Sequence, residues 1–162
     1  MKLTNVLTKQ NLHLIVPREM SIKTKKRHAM AEMPDQAPSK RRVIVADDEE
    51  TIATTLALIL NQAGFEARAV FSGEQVVELL DSFQPQMLIT DVVMRGMTGI
   101  EVAIAVRSRL PDCKILLLSG QAATADLLEQ AKTEGHEFEI VAKPIHPSDL
   151  LAKLGAPNII SS

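Results

Sequence analysis

The chain has 162 residues, 46% of them apolar, with four Phe and neither Trp nor Tyr; this allows one buried core of ordinary domain size, built from aliphatic side chains. The net charge of -2 conceals a split: residues 1–42 hold ten Lys or Arg against three acids, and the remainder holds eight bases against seventeen acids. The lone Cys113 excludes an internal disulfide, and no apolar run reaches the roughly 18 residues that cross a bilayer, so neither a disulfide scaffold nor membrane insertion is expected and a reducing cytoplasm fits.

Before Arg42 no periodicity is sustained, and residues 1–41 are expected to be a basic, disordered extension. Its charges are scattered and lack interleaved aromatics or a helix-turn-helix pattern, which disfavours nucleic acid as a partner. After Pro34 and Pro38 short apolar runs alternate with helix-period segments, predicting a domain over residues 42–155 and a short tail over 156–162. Val43 to Ala46 reads as a buried strand. Thr51 to Gln62 reads as a helix with Ile52, Leu56, Ile59 and Leu60 on its inner face, closed by Gly64.

Phe65 to Val70 alternates as a second strand, and Ser72-Gly73-Glu74-Gln75 has capping-box spacing before a helix that ends ahead of Pro85. A third strand, Met87 to Thr90, runs into Asp91, and a glycine-containing loop leads to a helix from about Thr98 to Leu110, stopped by Pro111. Lys114 to Ser119 is a fourth strand whose four consecutive branched residues suit burial on both faces. Ala125 to Thr133 is expected to be helical, Glu139 to Ala142 a shorter fifth strand, and Pro147 to Leu154 a last helix. Five strands alternating with five helices predict a three-layer α/β sandwich, because right-handed crossovers cover both sheet faces.

In open parallel sheets ligands bind beyond the carboxyl ends of the strands. Asp47 and Asp48 follow the first strand, Asp91 the third, Ser119 ends the fourth and Lys143 follows the fifth, so four junctions deliver polar groups to one edge. Three clustered carboxylates repel, at about 4 kcal/mol per pair 4 Å apart in an effective dielectric of about 20. Such a cluster calls for a cation, and hard oxygen ligands with no His or Cys among them match Mg²⁺ rather than zinc. With charge neutralised, a central carboxylate can attack phosphorus, Lys143 can pair with one phosphoryl oxygen and Ser119 can donate to another. Asp91 is the expected acceptor, having acids on one side and Lys143 on the other. Each residue singly has a plainer reading, since an acid after a strand is commonly a helix cap.

These segments resemble the receiver domain of bacterial two-component response regulators, from about Arg42 to Leu154. VIVADDEE is similar to the family's first strand and acidic pair, LITDVVMRGMTG to its phosphoacceptor strand and loop, LLLSG to its hydroxyl-bearing strand, and VAKPIHPSDLLAKL to its Lys-Pro and final helix. The resemblance implies a flavodoxin-like sandwich with a five-stranded parallel sheet in the order 2-1-3-4-5. It also implies phosphorylation of Asp91 by a histidine kinase or histidine phosphotransfer protein, with Mg²⁺ held by Asp48, Asp91 and the Val93 carbonyl and by Asp47 through water. Ser119 and Lys143 would engage the phosphoryl group, and the Lys143–Pro144 bond would be cis. The output face would be the fourth helix, fifth strand and fifth helix, and the first helix would meet the phosphodonor.

Three departures from the family pattern stand out. Arg95 occupies a position usually held by Pro, so the loop after Met94 is less constrained. Ile140 stands where the family carries its switch aromatic, three residues before Lys143, while Phe138 lies two residues earlier with the same strand parity. Val93 and Gln121 stand where the family controls access of water to the aspartyl phosphate, and an apolar Val93 cannot orient water, which predicts slow self-dephosphorylation.

No output domain follows Leu154, so the signal is expected to leave by contact; a separate unidentified protein target, a phosphorelay step and a phosphate sink all stay open, with a phosphorylation-dependent homodimer as a further partner. The alternative readings are a degenerate receiver serving as a phosphorylation-independent interaction module and a magnesium phosphohydrolase of the haloacid dehalogenase kind. The latter carries Asp-x-Asp after its first strand, where this chain has adjacent Asp47 and Asp48.

Overall fold

The computed structural model describes residues 39–120 and 124–155; most of the expected basic extension, the tail over 156–162 and Gln121 lie outside the described residues. Five parallel strands form a sheet in the order β2-β1-β3-β4-β5. In chain order these are β1 (Arg42–Ala46), α1 (Glu50–Gln62), β2 (Glu66–Val70), α2 (Gly73–Phe83), β3 (Met87–Asp91), α3 (Gly99–Arg109), β4 (Lys114–Ser119), α4 (Thr124–Thr133), β5 (Glu139–Ala142) and α5 (Pro147–Lys153). The expected elements are all present, with ends displaced by a residue or so.

Strand parity divides the core. Ile44, Leu88 and Leu117 point to one side, where they pack with Val76 and Leu80 of α2, Val102 and Val106 of α3, and Ala131 of α4. Their neighbours Val43, Val45, Ile89, Leu116 and Leu118 point to the other, against Ala53, Ala57 and Leu60 of α1 and Leu150 of α5. Because β1, β3 and β4 bury both faces, they read as continuous apolar runs rather than alternating ones.

The inward face of α1 differs from expectation. Ala53, Ala57 and Leu60 are buried, whereas Ile52 and Leu56 sit on the flank beside Leu118, Pro144 and Ile145. Small side chains let this helix approach β1 and β2 closely, and the larger ones are displaced to its margin. The capping box also lies elsewhere. Ser72 Oγ accepts from Gln75 N at 3.3 Å, but the Gln75 side chain returns to Phe71 N rather than to Ser72. The reciprocal box closes instead at α3, where Thr98 Oγ1 accepts from Glu101 N and Glu101 Oε2 accepts from Thr98 N.

Backbone packing fixes both rims of the sheet. Gly99 presses against the end of β3 so closely that an added Cβ would lie 1.9 Å from the Asp91 carbonyl oxygen, and its N–H donates to Val92 O at 3.0 Å. Arg41 clasps the two ends of the domain: its guanidinium donates to Leu154 O at 2.9 Å and Gly155 O at 2.8 Å while covering the Phe65 ring at 4.8 Å. The Lys143–Pro144 peptide is cis, as the resemblance implied.

Candidate functional site

Parallel register aligns the strand ends. Ala46 pairs with Thr90, Asp91 with Leu118 and Ser119 with Ala142, so Asp47, Asp91, Ser119 and Lys143 all emerge at one rim of the sheet. Side chains from four separate junctions therefore meet without any one loop being long. At this rim Asp48, Glu49, Asp91, Val93, Gly120, Thr124 and Lys143 line a cleft of about 310 Å³, with Asp47 bonded to Lys143 and Ser119 to Thr124 behind it.

Lys143 is the charge at the centre. Its Nζ lies 2.8 Å from Asp47 Oδ2 and 3.1 Å from Asp91 Oδ2. Burial works against the ammonium, but hydrogen bonds to Asp47 and Asp91 and their negative charges outweigh it and raise its pKa above the ordinary lysine value. The lysine is therefore charged throughout the neutral range. Burial raises the pKa of Asp91 above the usual aspartate value; Lys143 and the Val93 N–H oppose the shift, and the charge of Asp47 adds to it.

Asp47 is only 1% exposed and has both oxygens engaged, Oδ2 by Lys143 and Oδ1 by Glu49 N at 3.0 Å. It thus serves as an anchor for the loop into α1 as well as a charge in the cleft. Asp47, Asp48 and Asp91 each offer an oxygen within 4.8 Å of the others. Oxygen donors in small number, converging without a His or Cys, fit a hard divalent ion such as Mg²⁺.

Arg95, in the place of the family's Pro, is not idle. Its Nε and backbone N both donate to Asp48 Oδ2, at 3.2 and 3.3 Å, although the side chain is 87% exposed. The sequence marks the residue as a departure but carries no sign of this contact, which joins two loops 47 positions apart in the chain. Thr124 has no sequence signal of its own; its Oγ1 is hydrogen-bonded to Ser119 Oγ. The sequence places Gly99 in the first turn of the helix from about Thr98 but carries no sign that a side chain there would meet the Asp91 carbonyl.

At the α4–β5 face Ile140 is 46% exposed. Phe138 precedes the strand, and lines the same shallow cavity as Ile140 and Leu128. The Phe138 ring is half-buried under the Arg107 guanidinium, 4.4 Å from its centroid, and His136 stacks on it with ring centroids 6.2 Å apart. Arg107 is itself fixed by donation to Glu137 O at 2.7 Å. The parity expectation holds for the facing side, while the aromatic is held by a cation rather than left to turn. Val93 lies on the cleft wall and is 52% exposed.

Known proteins agree with this architecture. The response regulator receiver protein CpdR of Brucella abortus is 30% identical over 114 residues, covering 70% of this chain and 93% of that protein. The DNA-binding response regulator MtrA of Mycolicibacterium smegmatis is 27% identical over 119 residues, 72% of this chain but 50% of MtrA, so the chain spans about half the length of that relative. The chemotaxis response regulator CheY4 of Vibrio cholerae superposes with a TM-score of 0.62 at 27% identity, over 72% of this chain and 98% of that one. The response regulator protein TrrA of Thermotoga maritima, solved in complex with Mg(2+)-BeF, gives a TM-score of 0.61 at 29% identity, over 71% and 96% of the two chains. The response regulator receiver domain profile matches residues 43–155, and with the fold and these relatives it establishes that the chain belongs to the response regulator receiver domain family.

Proposed function

We propose that this chain is a single-domain response regulator of a phosphorelay, which accepts a phosphoryl group on Asp91 from a histidine kinase or histidine phosphotransfer protein and signals by contact with another protein. The observation that carries this reading is Lys143 Nζ poised between Asp47 and Asp91 beside three converging carboxylates. Asp47, Asp48, Asp91 and the Val93 carbonyl would hold Mg²⁺, which when bound offsets the negative charge of the carboxylates and of the phosphoryl oxygens.

An Asp91 carboxylate oxygen attacks phosphorus, the bond from phosphorus to the donor imidazole nitrogen breaks, and the electron pair departs with that nitrogen. The oxygen facing Lys143 is already paired, so the lysine needs only to transfer its hydrogen bond from Asp91 to a phosphoryl oxygen while Asp47 retains the other. Ser119 supplies a hydroxyl to a second oxygen. Val93, apolar and at the rim, leaves water without an orienting partner, giving a long-lived aspartyl phosphate. The chain assists its own phosphorylation and dephosphorylation and is not a turnover enzyme. The added charge of about -1.5 to -2 then biases the α4–β5–α5 face toward its target. A single buried thiol, Cys113, fits a cytoplasmic setting.

Incubation with acetyl phosphate and Mg²⁺, followed by intact mass measurement, tests the reading. Wild type gains one phosphoryl mass, and Asp91→Asn or chelation abolishes the gain. Equal labelling of Asp91→Asn, or catalytic turnover of a simple phosphate ester, overturns it.

A further inference from the structure

We infer that Thr124 is a positioning residue for the phosphoryl site: its hydroxyl holds that of Ser119 and thereby ties the first residue of α4 to the phosphorylation state of Asp91. This role presupposes Asp91 as the phosphoacceptor. It begins from how little of Ser119 is free to move. Ser119 ends β4 and pairs with Ala142, and its carbonyl accepts from Lys143 N at 2.7 Å. With the backbone pinned to β5, any response of this residue is a rotation of its side chain or of its hydroxyl proton.

That hydroxyl is already engaged. Ser119 Oγ and Thr124 Oγ1 are hydrogen-bonded, and Thr124 is 3% exposed on the wall of the cleft that holds Asp91 and Lys143. A hydroxyl carries one proton. If Ser119 is the donor, turning that proton to a phosphoryl oxygen withdraws it from Thr124; if Thr124 is the donor, it fixes where the Ser119 oxygen stands as its proton finds the phosphoryl group. In the first polarity the bond at Thr124 is lost or reversed when Asp91 is phosphorylated; in the second it persists, but to an oxygen whose own proton is now committed to the phosphoryl group, so in either case the surroundings of Thr124 change. Thr124 is the first residue of α4, so the change reaches that helix directly.

The surroundings favour this route over one through β5. Ile140 has no ring and no polar atom in its side chain, and Phe138 is held by Arg107 and His136. The hydroxyl pair joins the cleft to α4 without either of them.

Beryllofluoride with Mg²⁺ serves as the phosphoryl mimic, read by backbone amide resonances of Thr124 to Leu127 and by phosphorylation rates with acetyl phosphate. Thr124→Val keeps a similar shape without the hydroxyl; Thr124→Ser keeps the hydroxyl without the methyl. Wild type and Thr124→Ser should show the amide shifts, whereas Thr124→Val should lose at least half of their amplitude while still being phosphorylated on Asp91, and should change its phosphorylation rate by roughly three-fold or more. Adding Ser119→Ala to Thr124→Val should cause no further loss. Full shifts in Thr124→Val, or equal loss in Thr124→Ser, overturn the role. A beryllofluoride response that survives in Asp91→Asn defeats the phosphoacceptor reading instead, so the two failures are separable.

Discussion

Asp47 and Asp91 extend from β1 and β3, strands with a neighbour on each side and both faces covered, whereas Lys143 follows β5, an edge strand in which Val141 is the buried residue. On the acidic side Asp47 is held by two hydrogen bonds and Asp91 is braced by Gly99 beneath its carbonyl. On the other side Ser119 and Lys143 have side chains that can turn, next to a helix whose first residue is coupled to one of them. The acids thus come from the middle of the sheet and Lys143 from its edge, while Ser119 ends the inner strand β4 and only its side chain is left to turn. Local stability follows buried contact, so backbone movement is least costly at the β5 edge from which Lys143 extends.

The sharpest way to break that contrast is Gly99→Ala. A methyl group cannot share space with the Asp91 carbonyl, and relief requires α3 or the end of β3 to shift, at an expected cost of at least about 3 kcal/mol in urea unfolding. A loss under about 1 kcal/mol would show that the acidic side yields as readily as the other.

A paired truncation measures the same gradient within the sheet. Leu88→Ala, on β3 and fully buried, should cost about 2–5 kcal/mol, whereas Ile140→Ala, on β5 and exposed, should stay within about 0.5 kcal/mol. Similar costs at both positions would erase the distinction.

The smallest expected effect concerns Arg95, an exposed cation on the acidic side. Its pair with Asp48 competes with any divalent ion for the same carboxylate, and an exposed pair is worth at most about 1 kcal/mol. Arg95→Ala should therefore raise Mg²⁺ affinity by about two- to five-fold in titration calorimetry at low salt, with the gain shrinking as salt screens the pair. Weaker Mg²⁺ binding in the variant would mean that Arg95 orders Asp48 rather than competing for it.

Much of this was legible in the sequence because it depends on short-range pattern. Branched runs bounded by turn residues located β1, β3 and β4, and the succession of acids, hydroxyl and lysine at four strand ends located the cleft. What escaped depends on packing distance or on loops meeting in space. The inward face of α1 is Ala53, Ala57 and Leu60 because the helix lies too close for Ile52 and Leu56, and hydrophobicity alone favours the larger residues. Gln75 has the right spacing for a box, yet its side chain finds Phe71 N, while Glu101 at equal spacing from Thr98 closes one. The bond from Arg95 to Asp48 joins two loops, and that from Thr124 to Ser119 joins the last residue of β4 to the first of α4; periodicity reveals neither.

The Arg41 clasp has a practical consequence at the opposite rim. It holds the incoming strand beside the outgoing end of α5, where Leu154 and Gly155 accept from the same guanidinium. Polypeptide grafted at either end therefore starts from one shared point, on the side of the sheet away from the carboxylates. A circular permutant of residues 41–155 that joins Gly155 to Arg41 by a few residues and opens a different surface loop would keep the cleft intact, and a reporter fused directly at Arg41 or Gly155 would be displayed from the same base.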